Sequence, residues 1–316
     1  MSLLYGETSG LMFGSEIKTM YGPPAIDYTD WLKTAAIILV FVDHTGYFFI
    51  ENNEWWSTFG RLAAPLFFFL LGYGQTRTVP LNWIWLGIIL TLLDSWNTDW
   101  AWVAPNILIS LALIRIGRPY VQTLVQNHGW PAFALLVLVL IVALPLTADL
   151  VDYGTEGWLW ALLGLFQRLY VDSRSVTGGA SAAHGQASSS QVLTKHLGAM
   201  RLLACFAAAS VYVWQEQMEF LFSPVNFAVF VLGIGALSLS LCLFQRGPSR
   251  IQPPEPIAGA MRFIGRHTLE IYAIQLAGSE LIVGLVPDPD LDVPDTVAGA
   301  GFRVPGIIAA TYFIFS

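Results

Sequence analysis

Ten apolar stretches, separated by short polar connections, decide what this chain can become. They lie at about 31–50, 59–76, 81–96, 101–116, 130–148, 155–171, 199–215, 224–245, 268–286 and 304–316. Crossing a hydrocarbon core of ~30 Å takes around 20 helical residues, with roughly 17 to 25 usual. Most of the runs reach or approach that length, and the last is short. Backbone exposed to lipid must satisfy its own hydrogen bonds, which leaves helices or closed barrels. The runs are continuous and lack period-two alternation, so helices are expected. Composition matters at one point: 12% of the 316 residues are charged, against roughly 25% in a soluble domain. The expected fold is all-α, a polytopic transmembrane helical bundle of about ten spans.

The few charges are sorted along the chain. Arg77 follows the second run, Arg115 and Arg118 the fourth, Arg168, Arg174, Lys195 and Arg201 surround the connection after the sixth, and Arg246, Arg250, Arg262 and Arg266 follow the eighth. The alternate connections carry Glu51 and Glu54, then Asp99, then Asp149, Asp152 and Glu156, then Glu216 and Glu219, then Asp288, Asp290, Asp292 and Asp295. Basic loops mark the cytoplasmic side. The N-terminus is therefore expected in the cytoplasm, and Arg303 is the main exception. Trp55, Trp56, Trp96, Trp100, Trp102, Trp158, Trp160 and Trp214 fall near the acidic, outer ends. That is the pattern of an interfacial belt.

Residues 1–26 read as a polar N-terminal arm ending at Pro23-Pro24, with no basic-then-apolar leader pattern. The segments 27–172 and 199–316 hold the spans. Between them, 173–198 is rich in Ser, Gly and Ala and reads as a flexible cytoplasmic linker. Cys205 and Cys242 sit in apolar runs, away from any Cys/His spacing that binds metal. No metal and no nucleic-acid partner are expected. The sequence contains no internal repeat of the kind on which many transporters are built.

Ionisable groups inside spans are costly and are functional candidates by default. Asp43 and His44 lie in the first run. From Trp31 to His44, a rise of ~1.5 Å per residue places the imidazole ~20 Å from the cytoplasmic end. Neighbouring helical positions point about 100° apart, so the two side chains face different neighbours. Arg61 opens the second run at nearly the same height, and Pro65 cannot donate to the Arg61 carbonyl. Asp43, His44 and Arg61 thus form a compact polar cluster in an apolar hairpin. Its structural interpretation is a buried Asp–Arg pair that fixes helix packing. Its chemical interpretation is a histidine base with a carboxylate neighbour. A second polar set comprises Arg262, Arg266, His267, Glu270, Tyr272, Gln275 and Glu280. Arg262 and Arg266 suit anionic phosphates, although their cytoplasmic placement alone accounts for them.

The stretch Leu32-Lys33-Thr34-Ala35-Ala36-Ile37-Ile38-Leu39 with Asp43-His44-Thr45-Gly46 resembles the opening of TraX-like membrane proteins. Gly60-Arg61-Leu62-Ala63-Ala64-Pro65-Leu66-Phe67-Phe68-Phe69 is similar to their second span. Residues 263–272 are similar to a closing motif of membrane acyltransferases, where a histidine follows the tyrosine; Gln275 stands in that region here. The resemblance implies an integral-membrane acyltransferase that moves an acyl group, acetyl by expectation, from acyl-CoA to an amine or hydroxyl in the outer half of the membrane. His44 would be the general base, Asp43 would orient it, and Arg61 would stabilise the oxyanion or hold the acceptor. Arg262 and Arg266 would meet the phosphates of acetyl-CoA. A bacterial inner membrane is the implied setting, with membrane lipid and another membrane protein or a pilin-like acceptor as partners. The competing expectation is a non-catalytic TraX-like structural subunit of a larger membrane complex. A transporter is a third reading, for which the apolar middle runs offer little.

Overall fold

The computed structural model describes residues 25–50, 53–98, 100, 102–148, 150–179 and 186–285, with backbone alone at 176–179, 186–194, 284 and 285. The tenth apolar run and nearly all of the N-terminal arm lie outside the described residues.

Helix α1 (Tyr28–Phe49) starts at a reciprocal cap. The Asp27 carboxylate accepts from the Asp30 N–H at 2.8 Å, and Asp30 accepts from the Asp27 N–H at 3.0 Å. Its 22 residues rise ~33 Å, enough to cross a bilayer. The second run breaks into α2 (Glu54–Gly60) and α3 (Ala63–Tyr73). The break falls where Pro65 withholds its donor, as the sequence requires. Helix α4 (Leu81–Asn97) follows, then α5 (Ile107–Thr147).

Helix α5 is two arms. Gly129 has φ 63° and ψ −139°, a conformation that glycine adopts without penalty. A straight helix of 41 residues would hold its ends ~60 Å apart. Instead, Ser110 Oγ donates to the Asp152 carbonyl at 2.5 Å, and the Asp152 N–H donates to the Pro105 carbonyl at 3.0 Å. The chain therefore reverses at Gly129, and the arms correspond to the fourth and fifth apolar runs.

Then come α6 (Gly154–Gly179), α7 (Gln186–Phe220), α8 (Pro224–Leu243), α9 (Glu255–Arg266) and α10 (Thr268–Leu285). The Ser/Gly/Ala-rich segment 173–198 is entered by helix from both sides, because α6 runs to Gly179 and α7 starts at Gln186. Helices α6 and α7 form the most extensive helix–helix contact of the bundle.

The described residues contain no strand, and four helical segments are long and apolar enough to cross a membrane: Tyr28–Phe49, Ile107–Thr147, Lys195–Phe220 and Pro224–Leu243. The protein is a polytopic helical membrane protein.

The interior is apolar as in a soluble domain, and the surface is apolar as well. Phe68, Phe69, Phe133, Trp160, Phe166, Tyr212 and Phe230 fill the centre. Leu81, Trp85, Leu135, Leu146, Phe206 and Leu232 point outward at 62–74% exposure. Lipid can cover such a surface, whereas water would make it a liability. Trp55, Trp96, Trp100, Trp102 and Trp214 are exposed, as a belt requires. Trp160 is a correction: it is fully buried, edge-on to Tyr212 with ring centroids 6.0 Å apart. Its place on the α7-facing side of α6 outweighs its nearness to the helix end.

Candidate functional site

Asp43 and His44 are adjacent on α1, and the structure sends them to different partners. At Gly60 the α2 backbone closes on α1: a Cβ there would stand 2.4 Å from the Asp43 Cβ. Only glycine permits that approach, and it delivers the next residue, Arg61, to Asp43. Arg61 Nε lies 3.5 Å from Asp43 Oδ1 and 3.6 Å from Glu216 Oε2. Its Nη1 donates to the Tyr153 hydroxyl at 3.2 Å, and its guanidinium carbon stands 4.2 Å from the Phe220 ring centroid. The freed Arg61 carbonyl accepts from the Tyr212 hydroxyl at 2.5 Å. One residue thus ties α1, α2, the approach to α6, and α7.

Two further features distinguish this cluster. Tyr153, which receives the Arg61 bond, has φ 61°, a left-handed conformation costing roughly 1–3 kcal/mol for a non-glycine residue. The fold holds that strain where it aims the phenol at Arg61. In addition, Asp43 Oδ1, Arg61 Nε, Glu216 Oε2 and Glu156 Oε1 are buried and make no hydrogen bond. The ion pairs at 3.5 and 3.6 Å are longer than close charge-assisted bonds of about 2.7–2.9 Å. The cluster therefore carries hydrogen-bonding capacity that the chain itself does not use. Arg61 also shares its surroundings with Asp152, Glu156 and Glu219. Carboxyl groups outnumber cationic side chains around Arg61.

His44 faces the other way. Its Nδ1 lies 2.6 Å from Gln275 Oε1 on α10. With the amide oxygen as acceptor, Nδ1 carries the proton and Nε2 of the neutral ring presents a lone pair. The imidazole is framed by Phe48 and Tyr272, with ring centroids at 6.0 and 5.8 Å. The Tyr272 hydroxyl in turn accepts from Asn106 Nδ2 at 3.3 Å. Asp43 and Arg61 both act on His44 through their charges. Gln275 is thus a partner of the candidate base.

Outside the apolar runs, Glu54 braces this end. Its carboxylate accepts from the Ser223 N–H at 2.9 Å and from Asn226 Nδ2 at 2.7 Å, joining α2 to α8. Those bonds hold the Glu54 carboxyl below the usual range. Glu280 of the second polar set accepts from the side chain of Asn97.

Arg262 and Arg266 stand at the opposite end. Lys33 Nζ donates to the Gly265 carbonyl at 2.7 Å, so the end of α9 lies level with Lys33. From Lys33 to His44 is 11 residues within α1, a rise of ~16 Å. Arg262 pairs with Glu255, and Arg266 Nε donates to the Arg262 carbonyl at 3.3 Å. The five candidate residues therefore divide between two levels: Asp43, His44 and Arg61 at one, Arg262 and Arg266 at the other. Tyr153, Tyr212 and Glu216 belong to the first group although sequence reasoning passed over them. For Glu216 the available signal was a carboxylate closing an apolar run; for the two tyrosines there was none.

A family model described as TraX protein matches residues 28–234, which include the hairpin, Tyr153, Tyr212 and Glu216 but not Gln275. An uncharacterized protein of Rickettsia prowazekii is 30% identical over 129 residues, 41% of this chain and 51% of its own length. A Protein TraX of Escherichia coli is 28% identical over 146 residues, 45% of this chain and 56% of its own length. The Protein TraX of Escherichia coli strain K12 is 25% identical over 146 residues. The chain spans about half the length of the curated relatives it matches. No solved structure matches it.

Proposed function

The chain belongs to the TraX family, and from that premise we propose that it is a membrane acyltransferase, moving acetyl from acyl-CoA to an acceptor amine or hydroxyl. The observation that carries this reading is the His44–Gln275 bond of 2.6 Å, which orients a neutral imidazole beside the Asp43–Arg61–Glu216 cluster. In the proposed step, His44 Nε2 takes the proton of the acceptor N–H or O–H as that atom attacks the thioester carbonyl. Arg61 stabilises the oxyanion that forms, in surroundings where a fixed cation is worth more than in water. Collapse breaks the C–S bond, and the proton on His44 passes to the departing thiolate. Asp43 holds Arg61 and contributes charge beside His44. The carboxyl groups around Arg61 offer oxygens that can accept from the N–H or O–H of a neutral acceptor.

Arg262 and Arg266 are the proposed contacts for the donor's phosphates. Gly265, beside them on α9, is level with Lys33, a ~16 Å rise from His44 along α1, so the acyl arm of the donor has to pass between helices. An inner membrane, with the basic end in the cytoplasm, is the setting this reading requires. A pilin-like protein is the proposed acceptor by family alone.

The second reading, a non-catalytic subunit, is favoured by one observation: Arg61 already binds Tyr153 through its side chain and Tyr212 through its carbonyl. Turnover separates the two. Purified protein supplied with acetyl-CoA and an amine or hydroxyl acceptor should transfer acetyl. His44→Ala should lose transfer while still binding donor. Well-folded wild-type protein that neither binds nor consumes acetyl-CoA would move the assignment to the subunit.

A further inference from the structure

Cys205 and Cys242 are the two cysteines of the chain, and the chemistry proposed above uses neither. They stand on α7 and α8, in two segments apolar enough to cross a membrane. Two contacts fix the register of these helices. Arg201 Nη1 donates to the Cys242 carbonyl at 3.0 Å, and one turn further along α7 the Cys205 thiol donates to the Ser238 carbonyl at 4.0 Å. Ser238 stands one turn before Cys242 on α8. Helical side chains lean toward the N-terminus, so the Cys242 side chain lies back over the turn that holds Ser238. Both sulfurs therefore converge on one carbonyl, and the two thiols are hydrogen-bonded to each other.

The surroundings hold the pair together by bonds that use neither sulfur. Arg201 Nη1 also donates to Gln167 Oε1 at 3.0 Å, and Gln167 Nε2 donates to the Phe244 carbonyl at 2.6 Å, tying α6 to α7 and to the end of α8. Ala204 and Ala208, both fully buried on α7, keep the helices close. Packing accounts for a single buried cysteine as a small hydrophobe. It does not require two thiols to meet across a helix interface, where they stand one two-electron oxidation from a disulfide. The two differ in access: Cys242 is buried, whereas Cys205 is half-buried. Leu202, Phe206 and Leu239 near it point outward, so a reagent that reaches Cys205 has to dissolve in lipid.

We propose that Cys205 and Cys242 form a redox modification site, converted to a disulfide by a lipid-soluble hydroperoxide. The Cys205 sulfur attacks the terminal peroxide oxygen; the O–O bond breaks, and the alcohol leaves with the thiol proton. The Cys242 sulfur then attacks the resulting sulfenic acid. The S–S bond forms, the S–O bond breaks, and the hydroxyl leaves as water with the Cys242 proton. The two thiols are oxidised and the peroxide is reduced by the same two electrons. Exchange with a dithiol reverses the step. The bond would lock α7 to α8, and the inference does not rest on the transfer reaction.

The test uses the full chain in phosphatidylcholine nanodiscs, treated with cumene hydroperoxide. Free thiols are counted by maleimide labelling after denaturation, and intact mass is measured before and after a reductant. Wild type is expected to lose both thiols, to fall in mass by about 2 Da without forming a covalent dimer, and to recover both on reduction. Cys205→Ser is expected to keep its remaining thiol about tenfold longer than wild type keeps the pair. The proposal is overturned if wild type keeps both thiols, if the bond forms between chains, or if the mass rises through irreversible oxidation instead. It is equally overturned if folded Cys205→Ser loses its thiol as fast as wild type. The wild-type arm decides without the variant, and neither arm needs acetyl-CoA, so failure of the reaction and failure of this site are read separately.

Discussion

At one end of the bundle, Asp43, Glu216 and Tyr153 close on Arg61; at the other, Arg115 stacks on Trp83 and Arg168 is bonded to Asp172. Both groups sit in surroundings where unpaired charge is expensive. They differ in how the chain meets that cost. At the acidic end the charges are cross-linked by protein groups, with Arg61 reaching two carboxylates, a phenol and an aromatic face. At the basic end, Arg115 rests on stacking and Arg168 on one carboxylate. The difference is one of organisation: the acidic end is cross-linked by the protein's own polar groups, whereas Arg115 at the basic end is held against an aromatic ring.

The sharpest way to break the comparison is to remove the organising cation. Arg61→Met leaves Asp43 and Glu216 buried and unpaired, which should cost about 3–5 kcal/mol in unfolding measured in detergent, with transfer falling to background. Unchanged stability would mean that the acidic end is not built on Arg61. A smaller effect is expected from Tyr212→Phe, which strips the partner from the Arg61 carbonyl: about 1–3 kcal/mol for an unsatisfied buried acceptor. A kinked helix that finds another donor would show no loss.

Next in size is Gln275→Ala. Freeing the His44 ring should slow transfer about tenfold, equivalent to ~1.4 kcal/mol of barrier, with donor affinity unchanged. An equal fall in affinity would place Gln275 in binding instead. The smallest effect concerns Glu54, whose ionised form is favoured in the fold. Its tie between α2 and α8 is complete above the ordinary glutamate pKa and fails as pH falls through its lowered folded-state value. Exchange of the Ser223 amide should accelerate only below pH about 4. Acceleration near neutrality would contradict the tie.

Local features of the hairpin were legible in the sequence because they depend on near neighbours. Pro65 had to free the Arg61 carbonyl, and the angle between adjacent helical positions had to part Asp43 from His44. The charge alternation likewise forecast which residues would collect at each end, since it follows from each short connection separately. What completes the site was not legible. Tyr153, Tyr212, Glu216 and Gln275 reach it from 92 to 231 positions away along the chain, through helix packing that hydropathy does not encode. Gln275 illustrates the gap: as a residue type it departs from the histidine of the resembled motif, while in space it supports the candidate base. Trp160 shows the reverse, a residue whose place near a helix end suggested the interface and whose helix face put it in the core.

The central claim is that donor and acceptor approach from opposite ends and meet at His44. Vesicles with the protein in one orientation, labelled acetyl-CoA at the basic face and an amine acceptor confined to the acidic face, test it directly. The account expects labelled acceptor on the far side of the bilayer, and none with His44→Ala. Labelling only when both substrates share one face, or labelling that survives in His44→Ala, would contradict it.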